Sequence, residues 1–254
     1  MNSIEGLSMW SSEAWIWMDF EIPGIHAVEE SWELGILGLM VETKTELKYY
    51  CVILDDKLEN ISNIYPEHCI FNPELDIDLI IQHLSELEGF SDCKYAFCWS
   101  SVDIKLLDHY FGHYWDGLSY TDTALSVHEN HAVSFFGETE IQCVNALPDC
   151  RKLGRKLHKM RGPHTLKRYM DLLGIEHPSG GKASNIIREL NKNWRDPKCQ
   201  ISERDRMLTH ELLQYNYYDC FGLRKVMSKL NQEAEEGTFF PNPDFRPHPD
   251  FSLD

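Results

Sequence analysis

The chain of 254 residues has no apolar run near the roughly 20 residues that span a bilayer, which argues against a membrane protein. Its first residues carry neither the basic stretch nor the apolar stretch of a secretory signal peptide. None of the eight cysteines forms a C-x-x-C pair. We therefore expect buried, reduced thiols rather than a disulfide framework. Together these absences predict a cytoplasmic protein.

Basic residues are scarce: 24 Lys and Arg stand against 41 Asp and Glu, for a net charge of −17. That balance argues at first against a nucleic-acid partner. However, the segment Arg151–Arg168 holds eight of the 24 basic residues and no acid. A basic stripe on an acidic body is typical of a local phosphate-binding surface, and the alternative is a solvated helix face. The basic stripe consists of Arg151, Lys152, Arg155, Lys156, Lys159, Arg161, Lys167 and Arg168.

Short apolar and aromatic runs predict five strands. The first three follow one another closely, so a meander of antiparallel strands is the simplest arrangement. The predicted strands are Ala14–Phe20, Trp32–Val41, Leu47–Leu54, Lys94–Trp99 and Leu118–Thr123.

Helical spacing of apolar residues and capping residues predict five helical segments. They are Asp76–Leu87, Val102–Phe111, Thr165–Leu173, Ala183–Asn191 and Ser202–Glu236, the last of them broken once. Residues 128–162 look irregular and are predicted to be an insertion within a single domain, 1–236. Residues 237–254 form a proline-rich tail. The element order predicts an α/β fold: a ribonuclease-H-like mixed sheet, with a three-strand antiparallel meander plus parallel strands, flanked by helices.

Acidic residues stand at the end of the first predicted strand and at the start of the helix that follows the fourth. Asp19 and Glu21 are two apart on the first strand and face the same side, while Phe20 faces the core. Carboxylates this close repel unless a cation lies between them, and Mg²⁺ or Mn²⁺ prefers such oxygen ligands. Asp103 opens the helix after the fourth strand. The alternatives are two solvated acids at a strand end and an ordinary helix-start aspartate.

The third acidic position is Asp219, on the last predicted helix. Tyr215 precedes it by four residues, so both lie on one helix face, one turn apart. A carboxylate beside a phenol can hold a metal while the phenol positions a water molecule.

These three motifs resemble the DEDD superfamily of 3′→5′ exonucleases, tyrosine branch. The chain is most similar to ribonuclease-H-like exonucleases related to the proofreading domains of family B DNA polymerases. Their Tyr-Asn-x-x-Asp motif matches Tyr215 to Asp219, and the likeness spans residues 14 to 230. Their second motif, Asn-x-x-x-Phe-Asp, corresponds to Cys98 to Asp103, with cysteine and valine in place of asparagine and phenylalanine. The histidine branch would need a histidine at Gln214.

The resemblance implies two-metal hydrolysis of phosphodiester bonds in single-stranded DNA or RNA, with two Mg²⁺ or Mn²⁺ ions and release of nucleoside 5′-monophosphates. Asp19, Glu21 and Asp219 would hold the ion nearest the attacking water. Asp19 and Asp103 would hold the second ion. Tyr215 would orient the water, since a phenol is a poor base at neutral pH.

Other interpretations stay open at this point. The same fold can serve as a catalytically weak nucleic-acid-binding module, or the same metal site can serve an endonuclease. Cys143, Cys150, His158 and His164 are candidate zinc ligands, although their spacing matches no common site. The aromatic residues Phe135, Phe136 and Tyr169 flank the basic stripe and either stack on bases or belong to the core.

Overall fold

The structure, a computed structural model, describes residues 14–23, 35–74, 76–87, 89–90, 92–99, 102–103, 106–107, 131–136, 139–177, 182–195 and 199–233. Within these ranges the strands are β1 (Ala14–Glu21), β2 (Ile36–Thr43), β3 (Leu47–Ile53), β4 (Cys69–Ile70), β5 (Cys93–Cys98), β6 (His131–Phe136) and β7 (Thr139–Asn145). They form one mixed sheet in the order β4-β3-β2-β1-β5-β7-β6.

The pairing of the strands confirms the predicted sheet. β1, β2 and β3 form the antiparallel meander. β5 runs parallel to β1, and β7 runs parallel to β5. Together with the flanking helices, this is an α/β fold compatible with a ribonuclease-H-like arrangement. The carboxyl ends of β1, β5 and β7 therefore meet at one edge of the sheet. The predicted strand Leu118–Thr123 lies outside the described residues.

The segment predicted to be irregular, 128–162, differs in the structure. It contains the antiparallel pair β6 and β7 and the helix α3 (Leu147–His158). β7 lies inside the sheet between β5 and β6, so its backbone is part of the core layer. Its sequence, TEIQCVN, alternates apolar and polar residues over too short a stretch to stand out from the polar residues around it.

The other helices in the described part of the chain are α1 (Asn60–Ile64), α2 (Ile77–Ser85), α4 (Leu166–Leu173), α5 (Ala183–Asn193) and α6 (Glu203–Glu233), with a 3₁₀ turn at Asp56–Leu58. Val102 and Asp103 are helical, as predicted. The predicted break in the last helix is wrong: α6 runs unbroken for 31 residues, about 46 Å. No helix in the described ranges is long and apolar enough to cross a bilayer. The predicted tail, 237–254, lies outside them.

Helices cover both faces of the sheet, and β1 supplies side chains to each face. Trp15 and Trp17 belong to the core under α6, which includes Leu213. Ile16, one position along the strand, belongs to the opposite core, which includes Ile80 of α2. This alternation is the ordinary consequence of strand geometry. It places every second residue of β1 beneath the long helix.

A buried ion pair joins α6 to the sheet. Arg224 of α6 is 1% exposed, and Glu42 of β2 is 2% exposed. The Arg224 guanidinium makes two hydrogen bonds to the Glu42 carboxylate, at 2.8 Å from Nε and 2.5 Å from Nη2. The indole of Trp17 donates a third, at 2.8 Å. Because the carboxylate receives three donors, its charge is compensated inside the core.

We predict that Arg224→Met lowers the free energy of unfolding by about 3–5 kcal/mol, because it leaves the Glu42 carboxylate buried without its cation. Urea denaturation measures the change. The matched control is Arg204→Met, which removes an exposed arginine paired with Glu189 at 2.6 Å and should cost under about 1 kcal/mol. Equal losses in the two variants would contradict the structural role of the buried pair.

Candidate metal centre

Three carboxylates converge at the sheet edge where β1 ends. Asp19 and Glu21 continue the face of Trp17, so they lie beneath α6, which supplies Asp219. One ligand atom from each of Asp19, Glu21 and Asp219 lies within 4.8 Å of the others. All three side chains are half-buried. In the described part of the chain, no other group of possible ligands meets this distance.

The proximity of the acids changes their pKa values. Burial, and then the charges of Glu21, Asp219 and Asp103, raise the pKa of Asp19 well above its ordinary value. Burial and then Asp219 likewise raise the pKa of Glu21. Without a cation, this closeness favours a proton on one of the Asp19 and Glu21 carboxyls. A divalent cation would replace that proton, and hard oxygen ligands fit Mg²⁺ or Mn²⁺.

Asp103 lies outside the group of three, although it is close to it. It is 6% exposed, in the helical turn that follows β5. Its charge raises the pKa of both Asp19 and Glu21. Because β5 runs parallel to β1, the chain delivers Asp103 to the same edge of the sheet. Its position fits a ligand that reaches the cluster from the neighbouring strand.

Tyr215 lies one helical turn before Asp219 and is half-buried. Burial, then the charges of Asp219, Glu21 and Asp19, raise the pKa of its phenol. The phenol therefore keeps its proton across the physiological pH range, and it remains a hydrogen-bond donor beside the carboxylates.

His177 completes the cluster, and no pattern in the sequence points to it. Its Nε2 lies 3.0 Å from Oδ1 of Asp219, and its side chain is 3% exposed. The imidazole also contacts the ring of Tyr215 edge to face, with centroids 5.2 Å apart. Burial raises the pKa of Asp219, and the hydrogen bond from His177 opposes that rise. His177 and Asp219 are 42 residues apart, so no sequence spacing connects them.

Asn216 holds the two halves of the cluster together. Its amide nitrogen donates to the main-chain oxygen of Asp19 at 3.0 Å and to the Asp19 carboxylate at 3.2 Å. The hydroxyl of Tyr49 donates to Oδ1 of Asn216 at 2.6 Å, which fixes the direction of the amide. The side chain lies directly over Gly38 of β2, where a Cβ would sit 1.7 Å from its Oδ1. Only glycine at position 38 therefore allows α6 to approach this closely.

The basic stripe does not form one helix face. It follows α3, then a turn, then the start of α4. Lys167 is close enough to the acidic cluster that its charge lowers the pKa of Asp219. The stripe residues whose side chains are exposed are Arg151, Arg155, Lys159, Arg161 and Lys167; Arg168 is half-buried, and the side chains of Lys152 and Lys156 lie outside the described part.

Two further predictions from the sequence concern aromatic residues that could stack on bases and a possible zinc site. Tyr169 is fully buried and donates to the Cys150 carbonyl at 2.8 Å, so it belongs to the core and does not stack on bases. The side chains of Phe135 and Phe136 are not described.

The candidate zinc ligands do not come together among the described side chains. Cys150 is buried with its thiol 3.4 Å from Met227 Sδ, and His164 forms a hydrogen bond with the Tyr169 hydroxyl. The side chain of Cys143 is not described, and His158 belongs to no ligand group among the described residues.

No model of a known protein family matches the chain, and no curated protein sequence matches it.

Gly38→Ala tests the close approach of α6. We expect it to lower the free energy of unfolding by about 1–3 kcal/mol, because the new methyl group displaces the Asn216 amide. Denaturation of Asn216→Ala and of the double variant completes a thermodynamic cycle. In the Asn216→Ala background the obstructing amide is gone, so adding Gly38→Ala should cost much less. An equal cost in both backgrounds would contradict this contact.

The raised pKa values predict how metal and pH affect stability. The folded-state pKa of Asp19 lies above its ordinary value of 3.8, so the folded form binds more protons than the unfolded form. Without metal, the contribution of this group is therefore present at low pH and is lost as the pH rises through the folded-state pKa. In EDTA, Asp19→Asn should thus gain stability relative to the wild type as the pH rises above the ordinary pKa of an aspartate, about 4.

With Mg²⁺ or Mn²⁺ the order should reverse, because only the wild type keeps the full set of carboxylates for the ion. Thermal unfolding with and without metal measures both effects. The matched control is Asp171→Asn, an exposed acid on α4. The interpretation fails if the difference between Asp19→Asn and the wild type is independent of both pH and metal.

Proposed function

We propose that this protein is a metal-dependent 3′→5′ exonuclease of the tyrosine branch of the DEDD superfamily. The observation that carries the proposal is the convergence of Asp19, Glu21 and Asp219 within 4.8 Å. Asp103 at the same sheet edge and Tyr215 one turn from Asp219 support it. These are the residues that the resemblance implies, and they arrive from three separate parts of the fold.

The carboxylates fit a pair of divalent cations. Two Mg²⁺ or Mn²⁺ ions, when bound, would activate the attacking water and stabilise the leaving oxygen. Asp19, Glu21 and Asp219 would hold one ion, and Asp19 and Asp103 the other. His177 donates to Oδ1 of Asp219 and so fixes which oxygen of that carboxylate is left for an ion.

Tyr215 takes the role of a positioning group. Its phenol keeps its proton because burial and the nearby carboxylates raise its pKa. It therefore orients the attacking water by a hydrogen bond and does not remove the water's proton. The edge-to-face contact with His177 restricts its ring.

The substrate in this proposal is single-stranded DNA or RNA. The charge of Lys167, at one end of the basic stripe, reaches Asp219 and lowers its pKa, so a strand bound at the carboxylates also meets positive potential. The proposal includes a cytoplasmic location, a compartment in which buried cysteines such as Cys51, Cys93 and Cys220 stay reduced.

The test is to incubate the purified protein with 5′-end-labelled single-stranded DNA and RNA in Mg²⁺ or Mn²⁺. We expect a ladder of products shortened from the 3′ end, at least about 100-fold slower for Asp19→Asn, because that change removes a ligand shared by both ions. Asp171→Asn is the control and should cut at the wild-type rate. Tyr215→Phe should lower kcat with little change in KM, since it removes the water-orienting hydroxyl.

The pattern of products separates the competing functions. Short labelled products that appear before the longer ones, and cleavage of a substrate whose 3′ end is blocked, would indicate an endonuclease. Metal-dependent binding without cleavage of either polymer would contradict the enzyme and favour a binding module. Cleavage that persists in Asp19→Asn would show that the acidic cluster is not the site.

A further inference from the structure

A cleft of about 510 Å³ lies at the turn between α3 and α4. It is lined by Arg155, Lys159, Met160, Arg161, Gly162 and His164. Three of these six residues are cations and none is acidic. The volume lies in the range of about 300–1,000 Å³ that is common for small-ligand sites. The cleft is therefore large enough for a nucleotide unit and has the charge to attract one.

The turn that forms the cleft is held in a single shape by local contacts. Lys159 ends α3 in the left-handed conformation, with φ of 51°, which is uncommon for a residue with a side chain. Met160 is buried beside it. Gly162 turns the chain again with φ of 89°, and Arg168 donates to the Pro163 carbonyl at 2.8 Å. The cations are thus presented on a preorganised backbone.

Hydrogen bonds determine the tautomer of His164. The hydroxyl of Tyr169 donates its one proton to the Cys150 carbonyl, at 2.8 Å. It must therefore accept from Nδ1 of His164, which lies 2.6 Å away. Nδ1 carries the proton, and Nε2 is the ring nitrogen left for a ligand.

None of the residues that line the cleft is acidic, so the positive charges around His164 are not offset within it. Burial, then Arg155, Arg151 and Arg168, lower the pKa of His164. Arg151 and Arg155 act from α3 and Arg168 from α4, while Lys159 and Arg161 share the cleft with the histidine. An anion placed there would offset these charges and favour a proton on Nε2, which would then donate to the anion.

We propose that this cleft binds a phosphate group of a nucleotide, with Arg155, Lys159 and Arg161 as its cations and His164 as a hydrogen-bonding partner. The identity of the nucleotide as part of the substrate strand rests on the proposed exonuclease function. α4 begins two residues after His164 and is about 12 Å long. The same helix carries Lys167, whose charge lowers the pKa of Asp219. A strand bound at the acidic cluster thus passes close to the cleft.

Binding is measured by fluorescence anisotropy in EDTA, where no cleavage occurs, so the result is independent of activity. A fluorescein-labelled oligonucleotide with a 5′-hydroxyl is the probe. Arg155→Gln with Arg161→Gln should weaken its binding at least about tenfold. The slope of log affinity against log salt concentration should become shallower by about 1.4. Arg188→Gln, an exposed arginine of α5, is the matched control. Unchanged affinity and salt slope in the double variant would overturn the proposal.

The pH profile tests His164 separately. Internal phosphodiesters do not titrate between about pH 5.5 and 8. The complex favours the protonated imidazole, so affinity should rise as the pH falls through the pKa of His164 in the complex. His164→Gln should flatten this rise without loss of folding, as monitored by urea denaturation. An identical pH profile in His164→Gln would remove the histidine from the site.

Competition identifies the source of the phosphate. Unlabelled oligonucleotide, adenosine 5′-monophosphate and inorganic phosphate are titrated against the labelled probe. Stronger competition by the oligonucleotide supports the strand as the ligand. Equal competition by adenosine 5′-monophosphate supports the phosphate site with the free nucleotide as its occupant. If the wild type binds the probe but cuts no nucleic acid, the cleft stands while the exonuclease proposal fails.

Discussion

The docking of α6 onto the first two strands is the constraint on which the acidic cluster depends. Three carboxylates repel one another, so something other than their own interaction must hold them within 4.8 Å. Asn216 does so through its bonds to Asp19, and Gly38 leaves the space that the amide fills. Two turns further along the helix, Arg224 fixes α6 to Glu42. The repulsion at the site is thus balanced by polar contacts that are themselves buried and specific.

This balance has a physical cost that is typical of functional sites. The raised pKa values of Asp19, Glu21 and Asp219 show that burial and mutual charge disfavour their ionised forms. A sequence optimised for stability alone would not place these acids together on a half-buried edge. Such perturbed groups concentrate where a protein binds a cation or performs chemistry. Here the perturbed acids lie at the end of β1 and on one face of α6.

Local sequence patterns explain which parts of the structure were predictable. The meander, the parallel fourth strand and the amphipathic helices follow from apolar period and capping, so the fold class emerged from the sequence. The Asp19 and Glu21 pair follows from the period of a strand, and Tyr215 and Asp219 from that of a helix. Asp103 was assigned only through the resemblance to the DEDD exonucleases, because an aspartate at a helix start is ordinary on its own. The other inferences need only local geometry.

The features of the structure that were not predicted depend on contacts between segments far apart in the sequence. Glu42 and Arg224 are 182 residues apart, and each alone resembles an ordinary surface charge. His177 follows a helix end with no pattern of its own, and only the packing of α4 beside α6 brings it to Asp219. β7 was not predicted because its sequence carries polar residues. A strand that pairs on both sides can carry them, since the pairing itself stabilises it. Tertiary context, which no local pattern encodes, decided all three.

The acidic character of the chain is consistent with a nucleic-acid substrate once distance is considered. At physiological ionic strength, exposed charges further apart than about 8 Å are largely screened, so the surface next to the site matters more than the net charge of −17. The acidic cluster itself would repel a phosphate, whereas the same cluster with divalent cations would attract it. In the proposed enzyme, metal and substrate therefore favour each other's binding, and linkage makes the effect reciprocal. In that proposal, an acidic body with one basic stripe would direct the strand along the stripe and away from the rest of the surface.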